Sequence, residues 1–230
     1  MVSTYGPKRY HADLVRVICG DDAFTLRVMQ AAPKLRVISK WGTGIDSIDQ
    51  VSAGHLGILV RNTPDAFTQP VADTVLGYML SFARDLPWMS RDVHAGQWVK
   101  TQGMSLGETT LGVIGIGNVG RAVIRRAASF GMRMLGNDIA DISENFVSET
   151  GLEVVSKADL LSTADFVSLN CDLNSSSHHL IGNEELALMK PSAYLINIGR
   201  GVIVQLDPLV AALEQGSIAG AALDVFEIEP

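Results

Sequence analysis

The segment LGVIGIGNVG, residues 111–120, decides the fold of this 230-residue chain. An apolar run leads into Gly115, and the segment RAVIRRAASF after Gly120 has the pattern of a helix. The spacing G-x-G-x-x-G predicts a strand, a tight turn and a helix whose N-terminus binds a dinucleotide pyrophosphate. We expect Gly115 to form the turn, Gly117 to admit the pyrophosphate, and Gly120 to let the helix pack on the strand. The alternative is an ordinary strand–helix turn, since the chain contains 22 glycines.

An acidic residue follows the next apolar strand. Asp138 comes directly after RMLGN, residues 133–137, about 20 residues beyond the glycine turn, which is where a carboxylate would bind the adenosine ribose hydroxyls. That carboxylate would repel a ribose 2′-phosphate, and Ile139 supplies no positive charge, so the predicted cofactor is NAD rather than NADP. The alternative for Asp138 alone is a solvated loop acid.

Composition excludes several classes of protein. The net charge of −7 and the pI near 5.2 oppose nucleic-acid binding, which depends on Lys and Arg neutralising phosphates. Two cysteines, Cys19 and Cys171, form neither a disulfide framework nor a metal-ligand spacing, so we predict no metal site and a reducing compartment. The apolar stretch 71–83 contains Asp73 and is shorter than a membrane span. These features predict a cytoplasmic protein with no membrane partner.

Strand-like and helix-like runs alternate along the chain, which predicts α/β architecture with parallel sheets and crossover helices. The pattern breaks near Thr63-Pro64, where a long helix with Pro70 in its first turn follows. We therefore predict two domains, residues 1–64 and residues 65–230. Strands are predicted in the first at 14–19, 35–40 and 57–62, and in the second at 111–115, 133–137, 165–170, 193–197 and 220–225.

Polar residues follow three of these strands at their carboxyl ends, where open α/β sheets bind ligands. In INIGRGVIV, residues 196–204, Arg200 could present its planar guanidinium to a carboxylate, although an arginine in a glycine turn is often only a surface residue. Asp224 belongs to the end of the last predicted strand and Glu229 to its exit, and a carboxylate there could orient a histidine or simply be exposed. The turn at Thr43 and Gly44 offers backbone amides to an anion, or merely reverses the chain.

Taken together, the chain resembles the D-isomer-specific 2-hydroxyacid dehydrogenases over nearly its whole length. The motifs that carry the resemblance are AAPKLRVISKWGTGIDSID (31–49), LGVIGIGNVGRAV (111–123) with Asp138, INIGRG (196–201) and AGAALDVFEIEP (219–230). The resemblance implies a Rossmann-type doubly wound parallel sheet for NAD and a smaller, incomplete flavodoxin-like α/β substrate domain. It also implies a homodimer, with the helices around residues 68–95 as the candidate contact.

The resemblance also implies roles for individual residues in hydride transfer between NAD(H) and carbon 2 of a small 2-hydroxy or 2-oxo acid. The implied catalytic residues are Arg200 and Glu229. Arg200 would hold the substrate carboxylate and carbonyl, and Glu229 would orient a histidine. The implied substrate-binding residues are Thr43, Gly44 and Arg200. The implied cofactor-binding residues are Gly115, Gly117, Asn118, Val119, Gly120, Asp138, Cys171, Ile198, Gly199, Arg200 and Asp224.

The chain departs from the family in three respects. The family's proton-transferring histidine lies beyond the Glu-Pro pair, and no histidine of this chain stands in a motif that replaces it: His11, His55, His94, His178 and His179. The first strand and helix of the substrate domain and a C-terminal helix are expected to be missing. Cys19 stands where phosphoglycerate dehydrogenases have a phosphate-binding arginine. The two hypotheses are therefore an NAD-dependent dehydrogenase, of which these 230 residues could be an inactive fragment, and a non-catalytic NAD-binding regulatory or interaction protein.

Overall fold

A computed structural model describes residues 13–228 and divides the chain into two compact units, one ending at Phe67 and the other beginning at Thr68. His11 and Glu229 lie outside the described residues. The assignment of residues 1–64 to a substrate domain and of 65–230 to an NAD-binding domain stays a prediction. Within residues 13–228, no helix combines the length and apolarity needed to cross a membrane.

The first unit contains a three-stranded parallel sheet in the order β1-β2-β3. Its strands are β1 (Arg16–Cys19), β2 (Val37–Lys40) and β3 (Leu59–Arg61), and its helices are α1 (Leu26–Gln30) and α2 (Gln50–His55). The Asp49 carboxylate caps α2 by accepting from the Ser52 amide at 2.9 Å. The core is formed by apolar residues of the sheet, both helices and the connecting segments, among them Phe24, Met29, Ile38 and Ala53.

The second unit contains a six-stranded parallel sheet in the order β6-β5-β4-β7-β8-β9. The strands are β4 (Thr110–Ile114), β5 (Arg133–Asn137), β6 (Glu153–Val154), β7 (Phe166–Leu169), β8 (Tyr194–Asn197) and β9 (Gly220–Leu223). Counted within this unit, the order is 3-2-1-4-5-6, the order of Rossmann folds. The fold class predicted from sequence is therefore confirmed.

Helices cover both faces of this sheet. They are α3 (Thr68–Ala83), α4 (Leu86–His94), α5 (Asn118–Ser129), α6 (Glu144–Thr150), α7 (Lys157–Thr163), α8 (Asn183–Leu188) and α9 (Leu206–Glu214). One core lies between the sheet and the pair α3–α5, with Met79 and Val123 fully buried. A second core lies between the other face and helices α7, α8 and α9, with Leu160 and Leu195 fully buried. Because both faces are covered, the central strands are apolar on both sides.

Candidate functional site

The glycine turn lies between β4 and α5. Strand β4 ends at Ile114 and α5 begins at Asn118, so three residues make the connection. Gly115 has φ of +88°, and a Cβ atom there would lie 2.5 Å from the Cys171 backbone nitrogen. Both observations require glycine, because other residues rarely adopt this conformation and no side chain would fit. Gly115 and Cys171 are thereby brought into direct contact.

Gly117 and Gly120 serve different purposes in this turn. A Cβ atom at Gly120 would lie 2.0 Å from the Gly115 carbonyl oxygen, so α5 approaches the turn more closely than a side chain allows. A Cβ atom at Gly117 would meet nothing within 4 Å, so there is open space beside this residue, which precedes α5 directly. Backbone amides and the positive end of the helix dipole face such a space. This geometry could hold a pyrophosphate, and Asn118 and Val119 form the first turn of α5 beside it.

Asp138 faces this turn from the end of β5. One carboxylate oxygen accepts from the Ile116 amide at 2.5 Å, and the other accepts from the Ala140 amide at 2.8 Å. A carboxylate has about four lone-pair sites, so acceptor capacity is left for ribose hydroxyls. Since both bonds fix its orientation, Asp138 could bind a ribose without first being ordered.

Arg121 also holds the turn, which the sequence did not predict. Its Nε donates to the Ile116 carbonyl at 3.1 Å, so the two peptide groups of Ile116 are held by Arg121 and by Asp138. The guanidinium lies over the Phe146 ring, 5.0 Å from its centre. An arginine next to the third glycine of the motif is the signal that could have indicated this contact.

Cys171 follows β7 and lies against Gly115. Burial, with smaller contributions from the charges of Asp172 and Asp138, raises the pKa of its thiol to about 11. The thiol is therefore neutral near pH 7 and presents a small apolar surface next to the glycine turn. Such a surface suits the apolar side of an adenosine.

The Arg200 loop follows β8 and is held by Asn197. The Asn197 side chain is 1% exposed; its Nδ2 donates to the Arg200 carbonyl at 2.9 Å and its Oδ1 accepts from the Gly199 amide at 3.1 Å. Arg200 is half-buried, and its Nη1 donates to the Gly199 carbonyl at 2.9 Å. Ile198 is also half-buried and packs against the core beneath. One asparagine thus fixes the backbone that carries the predicted catalytic arginine.

Two further residues of the second unit meet at the end of β9. The Asp224 amide donates to the Asn197 carbonyl at 3.0 Å, which continues the pairing of β8 and β9. The Asp224 carboxylate accepts from the Tyr78 hydroxyl at 3.2 Å. Close by, a Cβ atom at Gly201 would lie 1.9 Å from the Phe226 carbonyl, so the Arg200 loop rests on the chain that leaves β9.

The segment leaving β9 also contacts a histidine. His179 Nε2 lies 3.4 Å from the Glu227 carboxylate, and the rings of His178 and His179 are 4.0 Å apart. This contact connects the loop after β7 to Glu227. Glu227 lies two residues before Glu229, which is outside the described residues. In residues 13–228, no group of three or more His, Cys, Asp or Glu residues could hold a metal ion.

Thr43 and Gly44 belong to the first unit, in the turn after β2. The turn is fixed by the chain after β3: the Gly42 amide donates to Thr63 Oγ1 at 3.0 Å, and Asn62 Nδ2 donates to the Thr43 carbonyl at 2.6 Å. No hydrogen bond of the described part of the chain engages the amides of Thr43 or Gly44. These two amides could therefore bind an anion.

Lys40 lies beneath this turn and is 4% exposed. Its ammonium group donates to the Gly20 carbonyl and to the Asp21 carboxylate, and a Cβ atom at Gly42 would lie 3.2 Å from Lys40 Cε. The Lys40 side chain thus supports the turn that carries the predicted substrate-binding amides.

Comparison with known proteins gives consistent results. A family model described as "D-isomer specific 2-hydroxyacid dehydrogenase, NAD binding domain" matches residues 76–230. D-3-phosphoglycerate dehydrogenase of Methanocaldococcus jannaschii is 39% identical over 219 residues, which are 94% of this chain and 42% of that protein. Glyoxylate reductase of Korarchaeum cryptofilum is 41% identical over 215 residues, which are 91% of this chain and 64% of that protein.

Solved structures show the same similarity. D-lactate dehydrogenase from Aquifex aeolicus, complexed with NAD and lactic acid, superposes with a TM-score of 0.90 at 30% identity, over 98% of this chain and 68% of that chain. A glyoxylate reductase from Paecilomyes thermophila superposes with a TM-score of 0.86 at 32% identity, over 95% of this chain and 69% of that chain. The aligned part of this chain covers less than two thirds of the length of the two relatives compared by sequence, the D-3-phosphoglycerate dehydrogenase and the Korarchaeum glyoxylate reductase.

Proposed function

Because the chain belongs to the D-isomer-specific 2-hydroxyacid dehydrogenase family, whose NAD-binding domain its residues 76–230 match, we propose that it serves hydride transfer between NAD(H) and carbon 2 of a small 2-hydroxy or 2-oxo acid. NAD is the cofactor. The observation that carries the proposal lies within the second unit: the glycine turn, Asp138, Arg200 and Asp224 all follow carboxyl ends of one parallel sheet. In doubly wound sheets this edge binds the dinucleotide.

The chain's own residues would bind and orient the cofactor. Amides at the start of α5 hold the pyrophosphate, Asp138 accepts from the adenosine ribose hydroxyls, and Cys171 lines the adenosine side. Asp224 and the backbone of residues 198–200 hold the nicotinamide end. When bound, NAD supplies the hydride-accepting nicotinamide ring, and the protein supplies orientation and charge.

An arginine of the second unit would bind and polarise the substrate. In the proposal, the Arg200 guanidinium binds the substrate carboxylate and stabilises the negative charge that develops on the carbon 2 oxygen. Within the first unit, the free amides of Thr43 and Gly44 are proposed as substrate-binding groups, because unpaired amides can donate to a carboxylate. Glu229 would orient the proton-transferring histidine that the family places after its Glu-Pro pair.

Asp138→Ala tests the cofactor site. We expect NADH affinity to fall about 10-fold to 100-fold, because a hydrogen bond to a charged group contributes roughly 1.5–3 kcal/mol. Wild-type protein should bind NADH more tightly than NADPH, and the variant should lose most of that preference because the repulsion of the 2′-phosphate is gone. NADH fluorescence titration measures both affinities. The control is Asp141→Ala, which removes the same charge from an exposed position nearby.

Turnover is tested by following NADH oxidation with glyoxylate, pyruvate and hydroxypyruvate. Oxidation that depends on one of these acids supports the dehydrogenase. NADH binding without turnover of any of them would instead favour the non-catalytic NAD-binding protein, and absence of NADH binding would contradict both.

We also propose that the protein is a cytoplasmic homodimer. Helix α4 buries none of its residues, and large apolar side chains remain exposed on it and on the segment that follows: Leu86, Trp88, Met89, Val93, Trp98, Val99 and Met104. Isolated apolar residues are common on surfaces, but a concentration of this size indicates a contact.

The proposed cytoplasmic location rests on the cysteines. Cys19 and Cys171 are both free thiols, which suits a reducing compartment.

Light scattering of the purified protein should give twice the chain mass of 24.6 kDa. Trp88→Glu should shift the population toward the monomer, because a charge would be buried in the contact. The matched control is Phe130→Glu, which alters an exposed apolar residue just after α5. A wild-type monomer at micromolar concentration would contradict the proposal.

A further inference from the structure

A tyrosine hydroxyl on α3 reaches the acid at the end of β9. Tyr78 donates to Asp224 Oδ1 at 3.2 Å, across 146 positions of sequence. We propose that Tyr78 is a positioning residue, which orients the Asp224 carboxylate toward the carboxamide of the nicotinamide. The inference rests on the role of Asp224 in the proposed function. It adds Tyr78 as a residue that affects NAD binding through Asp224, without contacting the cofactor itself.

The backbone of Asp224 is fixed, but its side chain depends on Tyr78. The amide is anchored on the Asn197 carbonyl at 3.0 Å, whereas the side chain is exposed. Among residues 13–228, the Tyr78 hydroxyl is the hydrogen-bond partner that the structure gives this carboxylate. Without it, the carboxylate rotates freely in solvent, and binding a carboxamide has to order it first.

The geometry leaves one carboxylate oxygen for a ligand. Tyr78 engages Oδ1, and Oδ2 stays available to accept from an N–H donor such as a primary amide. Burial, together with the Asp224 charge, raises the pKa of the Tyr78 phenol, so the phenol remains a donor at neutral pH. The Tyr78 phenol therefore donates to the Asp224 carboxylate and restricts its rotation.

Packing holds Tyr78 itself in place. Tyr78 is half-buried against the core between α3, α5 and the sheet. One turn further along α3, Phe82 stacks on Tyr194 of β8 with ring centres 4.3 Å apart. A phenylalanine at position 78 would fill the same space, so only the hydroxyl distinguishes tyrosine from an ordinary core residue at this site.

Tyr78→Phe tests the inference by comparing two ligands. NADH carries the nicotinamide, and ADP-ribose lacks it. We expect calorimetric titration to show NADH affinity reduced about threefold to tenfold, as for loss of one hydrogen bond, with ADP-ribose affinity unchanged. The matched control is Tyr194→Phe, which removes a hydroxyl from another tyrosine packed against the same core without touching Asp224 and should leave both affinities unchanged.

Asp224→Ala separates this inference from the proposed function. If Asp224→Ala weakens NADH but not ADP-ribose, while Tyr78→Phe changes neither, Asp224 keeps its role and the inference about Tyr78 is overturned. If Asp224→Ala changes neither affinity, the nicotinamide role of Asp224 fails and the inference fails with it. Equal weakening of both ligands by Tyr78→Phe would show a merely structural role and overturn the inference. Support would come from the double variant binding NADH no more weakly than Asp224→Ala alone.

Discussion

The Gly120→Ala variant is expected to bind NADH at least about 100-fold more weakly than the wild type and to unfold at a lower temperature. The added Cβ would lie 2.0 Å from the Gly115 carbonyl oxygen and 3.1 Å from its carbonyl carbon. Both are backbone atoms, which cannot rotate away as a side chain would, so the turn or the helix must move by more than 1 Å. Such overpacking typically costs about 1–3 kcal/mol, and it displaces the amides that would bind the pyrophosphate.

Two measurements separate these consequences. Differential scanning fluorimetry should show a midpoint lowered by several degrees, since about 1 kcal/mol corresponds to roughly 2–4 °C at this size. NADH titration below that midpoint should show the affinity loss. The control is Gly77→Ala on α3, where a Cβ meets nothing within 4 Å and a helix interior favours alanine. Wild-type NADH affinity in Gly120→Ala would show that the turn does not bind the cofactor as proposed.

Most strands of the second unit could be predicted from sequence because each is a short apolar run. β4, β5, β7, β8 and β9 lie within two residues of the segments predicted at 111–115, 133–137, 165–170, 193–197 and 220–225. Strand β6 was missed. It consists of Glu153 and Val154, both exposed, so no buried run indicates it, and it is recognised only by its pairing with β5. A short strand at the edge of a sheet buries few side chains, so its sequence does not need an apolar pattern.

The contacts that organise the site could not be predicted from a linear pattern. Tyr78 lies among apolar residues of α3, yet its hydroxyl donates to Asp224. Arg121 belongs to a run with two other arginines that resembles a solvated helix face, yet it holds the Ile116 carbonyl. Asn197 is the last residue of an apolar strand, and its buried amide fixes the Arg200 loop. In each case the residue type was visible, but the partner is determined by tertiary structure.

Replacement of Arg200 is expected to reduce turnover far more than cofactor binding. The guanidinium would stabilise charge that develops on the substrate oxygen during hydride transfer, and loss of one such donor typically lowers kcat by about 10²–10³. NADH affinity should change by less than about threefold in Arg200→Ala, because the two Asn197 bonds to the loop backbone remain when the arginine bond to the Gly199 carbonyl is lost. Steady-state kinetics with the best 2-oxo acid, together with NADH titration, measures both quantities.

Arg200→Lys distinguishes charge from geometry at this position. A lysine keeps the positive charge but loses the planar pair of donors that matches a carboxylate, so we expect it to recover only a small part of the lost turnover. The charge-matched control is Arg133→Ala. Arg133 is the first residue of β5 and forms an exposed ion pair with Glu153, so its replacement should leave kcat unchanged. If Arg200→Ala kept wild-type turnover while NADH still bound, the polarising group would have to be another residue, and the assignment of the loop after β8 to substrate binding would be wrong.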